Sequence, residues 1–295
     1  MAGSWRQAKT PFWLAFGPAA FWLAAFFAVP MAVIWVYSFG RNAGPTDIAV
    51  TGTLANYART LEPLYLGILW KSCWLALATT ALCLAIGFPV AFAIAFAGRR
   101  ARVWLLLGVM LPFWTNLLVR TYALIAVLRD QGYVNDGLGA LWHAVQPVLG
   151  LSDFQPLALL YNNSAVLFGL VYVQLPFMVL PLYASLDRLD RSLLEASLDL
   201  GASHATTLRR IVIPLAMPGI LSGLVLTFIP TLGSYLTPDL LGGPDSQMIA
   251  NVIERQFKRA NDWPFGAALS FLLMYLTFAG IAAQGLLARR KAGAR

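Results

Sequence analysis

LLEASLDLGASHATTLRRIVIPLAMPG, residues 193–219, lies between two apolar runs and has the residue pattern of helix, tight turn, helix. Glu195, Ala196, Leu198 and Leu200 favour the first helix. Gly201 stands where that helix stops, because glycine reaches the left-handed conformation without a Cβ penalty. Ser203 is a suitable N-cap for a second short helix through Arg210, and Pro214, lacking an amide proton, is expected to end it. Strung between two membrane spans, such an element makes a rigid knob at the membrane surface. Taken alone, the Glu-Ala…Gly pattern equally fits any solvated loop with some helix in it, since its caps are generic.

The chain around the knob is built for lipid. Apolar residues make up 59% and charged residues 12% of 295 residues, against about 25% charge in a soluble domain. No polar block is long enough for a second domain, so a single transmembrane domain over 1–295 is expected. The net charge of +8 comes from basic residues beside apolar runs rather than from one patch. That pattern encodes membrane topology, with a smaller contribution from anionic lipid, and argues against nucleic acid as a partner. Cys73 and Cys83 fall on one predicted helix, about 15 Å apart and beyond disulfide reach, and are packing residues. Arg6 and Lys9 precede an apolar run from Phe12 to Phe39, too long for a signal core of about 7–15 residues, so it is a retained span.

A spanning helix needs about 20 mostly apolar residues. Six stretches qualify: 12–37, 67–97, 103–128, 165–186, 218–236 and 265–287, with the knob in a loop over 187–217. Pro30, Pro89, Pro112, Pro176, Pro181 and Pro230 fall in or at the ends of these spans, where neighbouring helices can satisfy the freed carbonyls. Gly219 and Gly223 form a GxxxG pair, open to another subunit's helix or to packing within the chain. Basic residues at 6, 9, 99, 100, 102, 188, 191, 209, 210, 289–291 and 295 fall on one side. By the positive-inside rule that side is cytoplasmic and holds both termini and the knob. Arg255, Lys258 and Arg259 fall on the other side, in a loop that also carries Asp245, Glu254 and Asp262. Two external stretches are long, 129–163, with the makings of interfacial helices, and 238–264, rich in turn residues.

No GxxxxGK[ST], HExxH, GxSxG or CxxC motif occurs, and His143 and His204 lie too far apart in the chain for a shared metal site. The chain is expected to be no enzyme, without a catalytic residue, metal or cofactor of its own, so any ATPase must be another subunit. Ionisable groups inside spans carry information because they are expensive there. Lys71 is placed to snorkel to the outer interface. Arg120 follows Trp114-Thr115-Asn116 within the third span, either paired with a carboxylate or carbonyl or lining a path. Thr227, Thr231, Ser234, Tyr235, Thr237 and Asp239 recur along a fifth span expected to be broken by Pro230 and Pro238, which suits a wet pathway.

Glu195-Ala196-Ser197, Gly201-Ala202-Ser203 and Ile211-Val212-Ile213-Pro214-Leu215 together resemble the EAA signature of permease subunits of binding-protein-dependent ABC importers, with Ser197 where a second alanine is usual. Leu111-Pro112-Phe113-Trp114-Thr115-Asn116 with Arg120-Thr121-Tyr122, Leu175-Pro176-Phe177-Met178, Asp239-Leu240-Leu241-Gly242-Gly243 and Asp262-Trp263-Pro264-Phe265-Gly266 are similar to the spermidine/putrescine type. The resemblance runs from about the second span to the last. It implies an all-α, six-helix, type I permease bundle in a bacterial inner membrane with a cytoplasmic coupling helix. It implies partners as well: two ATP-binding subunits that hold the ATP and magnesium, a second homologous permease, and a periplasmic solute-binding protein. Glu195, Ala196, Ser197, Gly201, Ala202 and Pro214 would then couple to the ATPase. Trp114, Arg120, Tyr122, Ser234, Tyr235 and Asp239 would line the substrate path, where aromatic faces and carboxylates suit a polycation. Some relatives carry an acid where this chain has Ser234, so the same architecture for another small solute is an alternative. A stand-alone secondary carrier is another; it would show internal repeats and buried ion-pair relays, and no second copy of the Glu-Ala…Gly segment occurs.

Overall fold

Side-chain caps and prolines fix where the helices of this chain begin and bend. A computed structural model describes residues 9–44, 47–149 and 152–293. Arg6 and Arg295, counted above among the basic flanks, lie outside them. The helices are α1 (Lys9–Leu23), α2 (Val29–Tyr37), α3 (Ala55–Thr60), α4 (Pro63–Phe96), α5 (Arg99–Trp114), α6 (Leu117–Leu128) and α7 (Tyr133–Leu149). There follow α8 (Asn163–Leu186), α9 (Arg191–Asp199), α10 (His204–Thr207), α11 (Ile213–Leu232), α12 (Leu236–Leu241), α13 (Ile249–Lys258) and α14 (Trp263–Gly293). Two compact units result, one from Met1–Leu66 with Val252–Arg295 and one from Gly67–Asn251.

In the first unit, a short antiparallel hairpin pairs Gly40 with Val50. Asn56 holds the hairpin's approach by donating to the Ser38 and Gly40 carbonyls at 2.9 and 2.8 Å. Arg59 donates to Asp262 at 2.8 Å and lies 3.9 Å over the Phe265 ring, while Asp262 also accepts from the Phe265 amide at 3.3 Å at the start of α14. Burial lowers the Arg59 pKa, but the hydrogen bonds and charges of Asp262 and Tyr65 together outweigh it and the net shift is upward. Burial pushes the Tyr57 phenol up.

The core of the second unit is the seam between antiparallel α8 and α11, with α4 alongside: Cys83, Ile94, Met178, Leu182, Val212 and Ala216 are buried together. In lipid, helices associate through close packing rather than through expulsion of water. A Cβ on Gly219 would come 2.5 Å from the Ser185 Cβ and 2.6 Å from the Pro181 carbonyl oxygen, and one on Gly223 would come 2.7 Å from the Met178 sulfur. Of the two readings of the GxxxG pair, packing within the chain is the one the structure shows.

Among the described residues, five helical stretches are long and apolar enough to span a membrane: Phe12–Tyr37, Pro63–Phe96, Asn163–Leu186, His204–Leu232 and Trp263–Ala282. The expected third span differs. It is not one rod over 103–128: α5 and the helical run that begins at Leu117, α6 followed by α7, are bent by 97° at the break between Trp114 and Leu117. Thr115 and Asn116 are extended, and the Asn116 side chain accepts from the Leu118 amide at 2.8 Å, starting a new helix. Pro214 differs as well. It does not end the second helix of the knob, which continues through a π segment at Leu208–Val212 into α11. There the Ile213 amide bonds to the Leu208 carbonyl, five residues back. This wider register makes room for the ring of Pro214, which would otherwise press on the preceding turn. In the fifth span Pro230 lies inside α11, and the break falls at Gly233–Tyr235.

Candidate coupling and translocation site

The knob is α9, a turn, and α10. Asp190 caps α9, its carboxylate accepting from the Ser192 amide at 3.0 Å. Hydrogen bonds from the Ser192 backbone first, and its side chain second, hold the Asp190 carboxyl below its ordinary pKa. The helix closes as expected at Gly201, with φ of +81°. Gly201 donates to the Leu198 carbonyl at 2.8 Å and Ala202 to the Ser197 carbonyl at 3.1 Å, which is the paired bonding of a Schellman motif. Ser203 then caps α10 by accepting from the Thr206 amide.

Inside the angle between the two helices the Ser197 and Thr207 hydroxyls meet at 2.9 Å, both buried. Ser197 therefore clamps the knob from within and presents nothing to a partner. Glu195, Ala196 and Gly201 are exposed, and Ala202 is half-buried. Pro214 is exposed but lies at the start of α11, beyond the knob. Alpha9 has two apolar faces. Leu194, Ser197 and Leu198 point toward the chain's own helices, whereas Leu193, Ala196 and Leu200 recur at i, i+3 and i+7 on the outer side. Leu200, at the tip, is 89% exposed.

The knob is tied to the bundle by arginines. Arg102 pairs with Asp187 at 2.7 Å just past the end of α8 and donates to the Ala95 carbonyl at 2.9 Å. Arg191, the first residue of α9, reaches the same carbonyl at 3.5 Å. In sequence these arginines read only as topology signals; Asp187 beside a basic flank is the one local sign of this role.

The six residues assigned to the path gather at two helix breaks. Trp114 is the exposed last residue of α5, and Arg120 and the exposed Tyr122 lie on α6 beyond the 115–116 break. Ser234 and Tyr235 form the break after α11, and Asp239 is exposed in the first turn of α12. Asn251 pins that second break by donating to the Tyr235 carbonyl at 2.8 Å. Helices α6 and α12 pack on each other. Among the described residues Nε and Nη1 of Arg120 are buried without a hydrogen-bond partner, as are the Thr79, Thr227 and Thr237 hydroxyls. Thr227, Thr231 and Thr237 are fully buried, so they face the packed interior and not an open lumen in this conformation. The Lys71 ammonium reaches the Asp245 carbonyl in the 238–264 stretch. No group of three metal-ligating side chains occurs among the described residues.

Thr237 and Leu241 close against Gly169 near the start of α8, and the knob hangs from its end. From Gly169 to Leu186, 17 residues at about 1.5 Å each put that contact and the knob about 26 Å apart, close to the hydrocarbon core of about 30 Å. Helix α8 thus carries the Thr237 and Leu241 contact near its start, the Phe113 ring of α5 5.3 Å from Phe177 past its middle, and the knob at its end.

Residues 84–293 match the family described as binding-protein-dependent transport system inner membrane component. The chain is 44% identical over 252 residues to the spermidine/putrescine transport system permease protein PotB of Escherichia coli K12, covering 85% of this chain and 88% of that protein. It is 37% identical over 273 residues to the Haemophilus influenzae protein of the same name, covering 91% and 92%. A crystal structure of a bacterial ABC transporter that imports the acidic polysaccharide alginate has a chain of the same fold, with a TM-score of 0.66 at 15% identity over 96% of this chain and 98% of that one.

Proposed function

The chain belongs to the family of inner-membrane components of binding-protein-dependent transport systems, and we propose on that premise that it moves polyamines, putrescine or spermidine, into the cytoplasm of a bacterial cell. It is a multi-pass permease subunit of an ABC importer. In this reading both termini and the knob are cytoplasmic. The rest of the assembly is a second, homologous permease, two ATP-binding subunits and a periplasmic binding protein. ATP and magnesium are held by the ATP-binding subunits, and this chain contributes no catalytic group, metal or cofactor.

The observation that carries the reading is the outer apolar stripe of α9. Leu193, Ala196 and Leu200 project from a short capped helix at a membrane-proximal turn, where exposed apolar surface marks a docking site. An ATP-binding subunit fits it. When the two ATP-binding subunits close on nucleotide, they push on the Leu200 tip. The Schellman turn and the Ser197–Thr207 clamp make α9 and α10 one body, which passes the displacement to α8 and α11. Along those helices the break at Thr115–Asn116, beside Phe177, and the break at Gly233–Tyr235, at the far end of α11, let the path residues rearrange. Arriving polycation meets the Tyr235 ring and the Asp239 carboxylate, which suit an ammonium through cation–π and charge attraction.

The test is reconstitution of the complete complex in proteoliposomes, with ATPase rate and uptake followed as binding protein is added empty or loaded with putrescine or spermidine. The loaded protein should stimulate ATP hydrolysis and drive uptake. Stimulation by another solute with none by either polyamine would refute the substrate, and hydrolysis indifferent to any binding protein would refute the importer.

A further inference from the structure

An open trough of about 700 Å³ lies between the last three turns of α4 and the knob, a volume in the range of about 300–1,000 Å³ that ligand clefts show. Phe88, Phe92 and Phe96 recur at i, i+4 and i+8 along one wall, and Leu194, Leu198 and Leu208 form the other. The Phe92 and Phe96 rings are 4.5 Å apart. The α4 helix has 34 residues, or about 51 Å at about 1.5 Å each, against a hydrocarbon core of about 30 Å. The trough follows its final turns, where hydrocarbon gives way to headgroups.

At its mouth the charge is positive. The Arg191 guanidinium stands 5.3 Å over the Phe96 ring and shares the Ala95 carbonyl with Arg102. Asp187 neutralises one of this pair, and the buried Nε of Arg102 has no partner among the described residues. Arg191, Leu194 and Leu198 lie on one stripe of α9; Glu195, four residues on from Arg191, flanks that stripe, and Asp199 lies further round the helix. Arg99 and Arg100 are exposed at the start of α5, two and three residues beyond Ala97. An apolar trough ending in unspent guanidinium donors suits an amphiphilic anion, and basic pockets between membrane helices on the cytoplasmic side are places where phosphate headgroups bind.

We propose that this trough is an anionic-phospholipid site, one acyl chain lying along Phe88, Phe92 and Phe96 and the phosphate meeting Arg191 and Arg102 beside the Ala95 carbonyl. The lipid would be a wedge between a membrane span and the coupling element. The placement of the mouth in the cytoplasmic leaflet rests on the orientation proposed above. The binding measurement needs no transport: a complex that holds the lipid but moves no polyamine would remove the substrate reading and leave this one.

The test is delipidation of the detergent-purified complex, titration with phosphatidylglycerol or phosphatidylcholine, and counting of bound lipid by native mass spectrometry. The wild type should hold one phosphatidylglycerol in clear preference to phosphatidylcholine. Arg191→Gln should weaken that preference about fivefold, the effect of one basic side chain near anionic lipid, and Arg191→Lys should restore most of it. Leu208→Trp, which fills the trough, should remove the bound lipid in a complex that still elutes intact. Equal retention of the two lipids by the wild type, or an unchanged preference in Arg191→Gln, would overturn the proposal. So would a cross-link from Phe92→Cys to another subunit, which would show the trough filled by protein.

Discussion

Replacing Gly201 by valine acts on the backbone alone. A Cβ at Gly201 meets nothing within 4 Å, so no clash opposes the side chain, whereas φ of +81° is a conformation β-branched residues avoid. An L-residue there costs about 1–2 kcal/mol, and strained positions reach about 3 kcal/mol. With a coupling range of about 1–3 kcal/mol corresponding to about 5–150-fold, the knob's native angle becomes rarer by that factor. Uptake driven by ATP should fall within the same range while expression, membrane insertion and complex recovery stay normal. Gly201→Asn, whose side chain tolerates the left-handed region, should stay near wild type, and Gly201→Ala should fall between. Proteoliposome uptake and ATPase rates measured side by side give the comparison. Wild-type coupling in Gly201→Val, or equal damage from asparagine and valine, would refute the backbone argument.

Thr207→Val leaves the buried Ser197 hydroxyl without the bond the structure gives it, at about 1–3 kcal/mol, while Ser197→Ala leaves Thr207 its contact with the Ser203 carbonyl and costs about 0.5–1.5 kcal/mol. Hydrogen exchange over residues 191–207 should rise in that order, the double variant showing less than the sum. Gly219→Ala drives a Cβ at the Pro181 backbone oxygen and should lower the complex's thermal midpoint, an overpacking cost of about 1–3 kcal/mol. Gly223→Ala meets mainly a flexible methionine sulfur and should cost less. The reverse order in a thermal-shift series would contradict the α8–α11 register. The lowered pKa of Asp190 means its capping contribution is complete above the ordinary carboxylate value of about 3.9 and disappears as pH falls through the depressed value. First-turn amides of α9 should lose protection in acid, and Asp190→Asn should abolish that pH dependence.

The knob was legible because its signals are local: Gly201 at a left-handed turn and Ser203 at a cap behave as their chemistry dictates. The spans were legible from length and apolarity. The break inside the third span is hidden in sequence because Leu111–Leu128 is so apolar, although Asn116 is a cap residue in plain view. Pro214 was misread because a π register, a tertiary adjustment, makes room for a ring that ordinary helix geometry would reject. Ser197 reads in sequence as a variant of a surface signature, and only the contact with Thr207 turns it inward. The Ala95 carbonyl gathers arginines separated by 89 positions, 102 and 191, a convergence no local pattern encodes.

The central claim is that the Leu200 tip presses on an ATP-binding subunit. With Cys73 and Cys83 replaced by alanine, Leu200→Cys in the native membrane should form a bismaleimide cross-link to that subunit and stay closed to a membrane-impermeant thiol reagent added from the periplasm. Labelling from the periplasmic side, or no adduct with an ATP-binding subunit in an assembly that still transports, would contradict it.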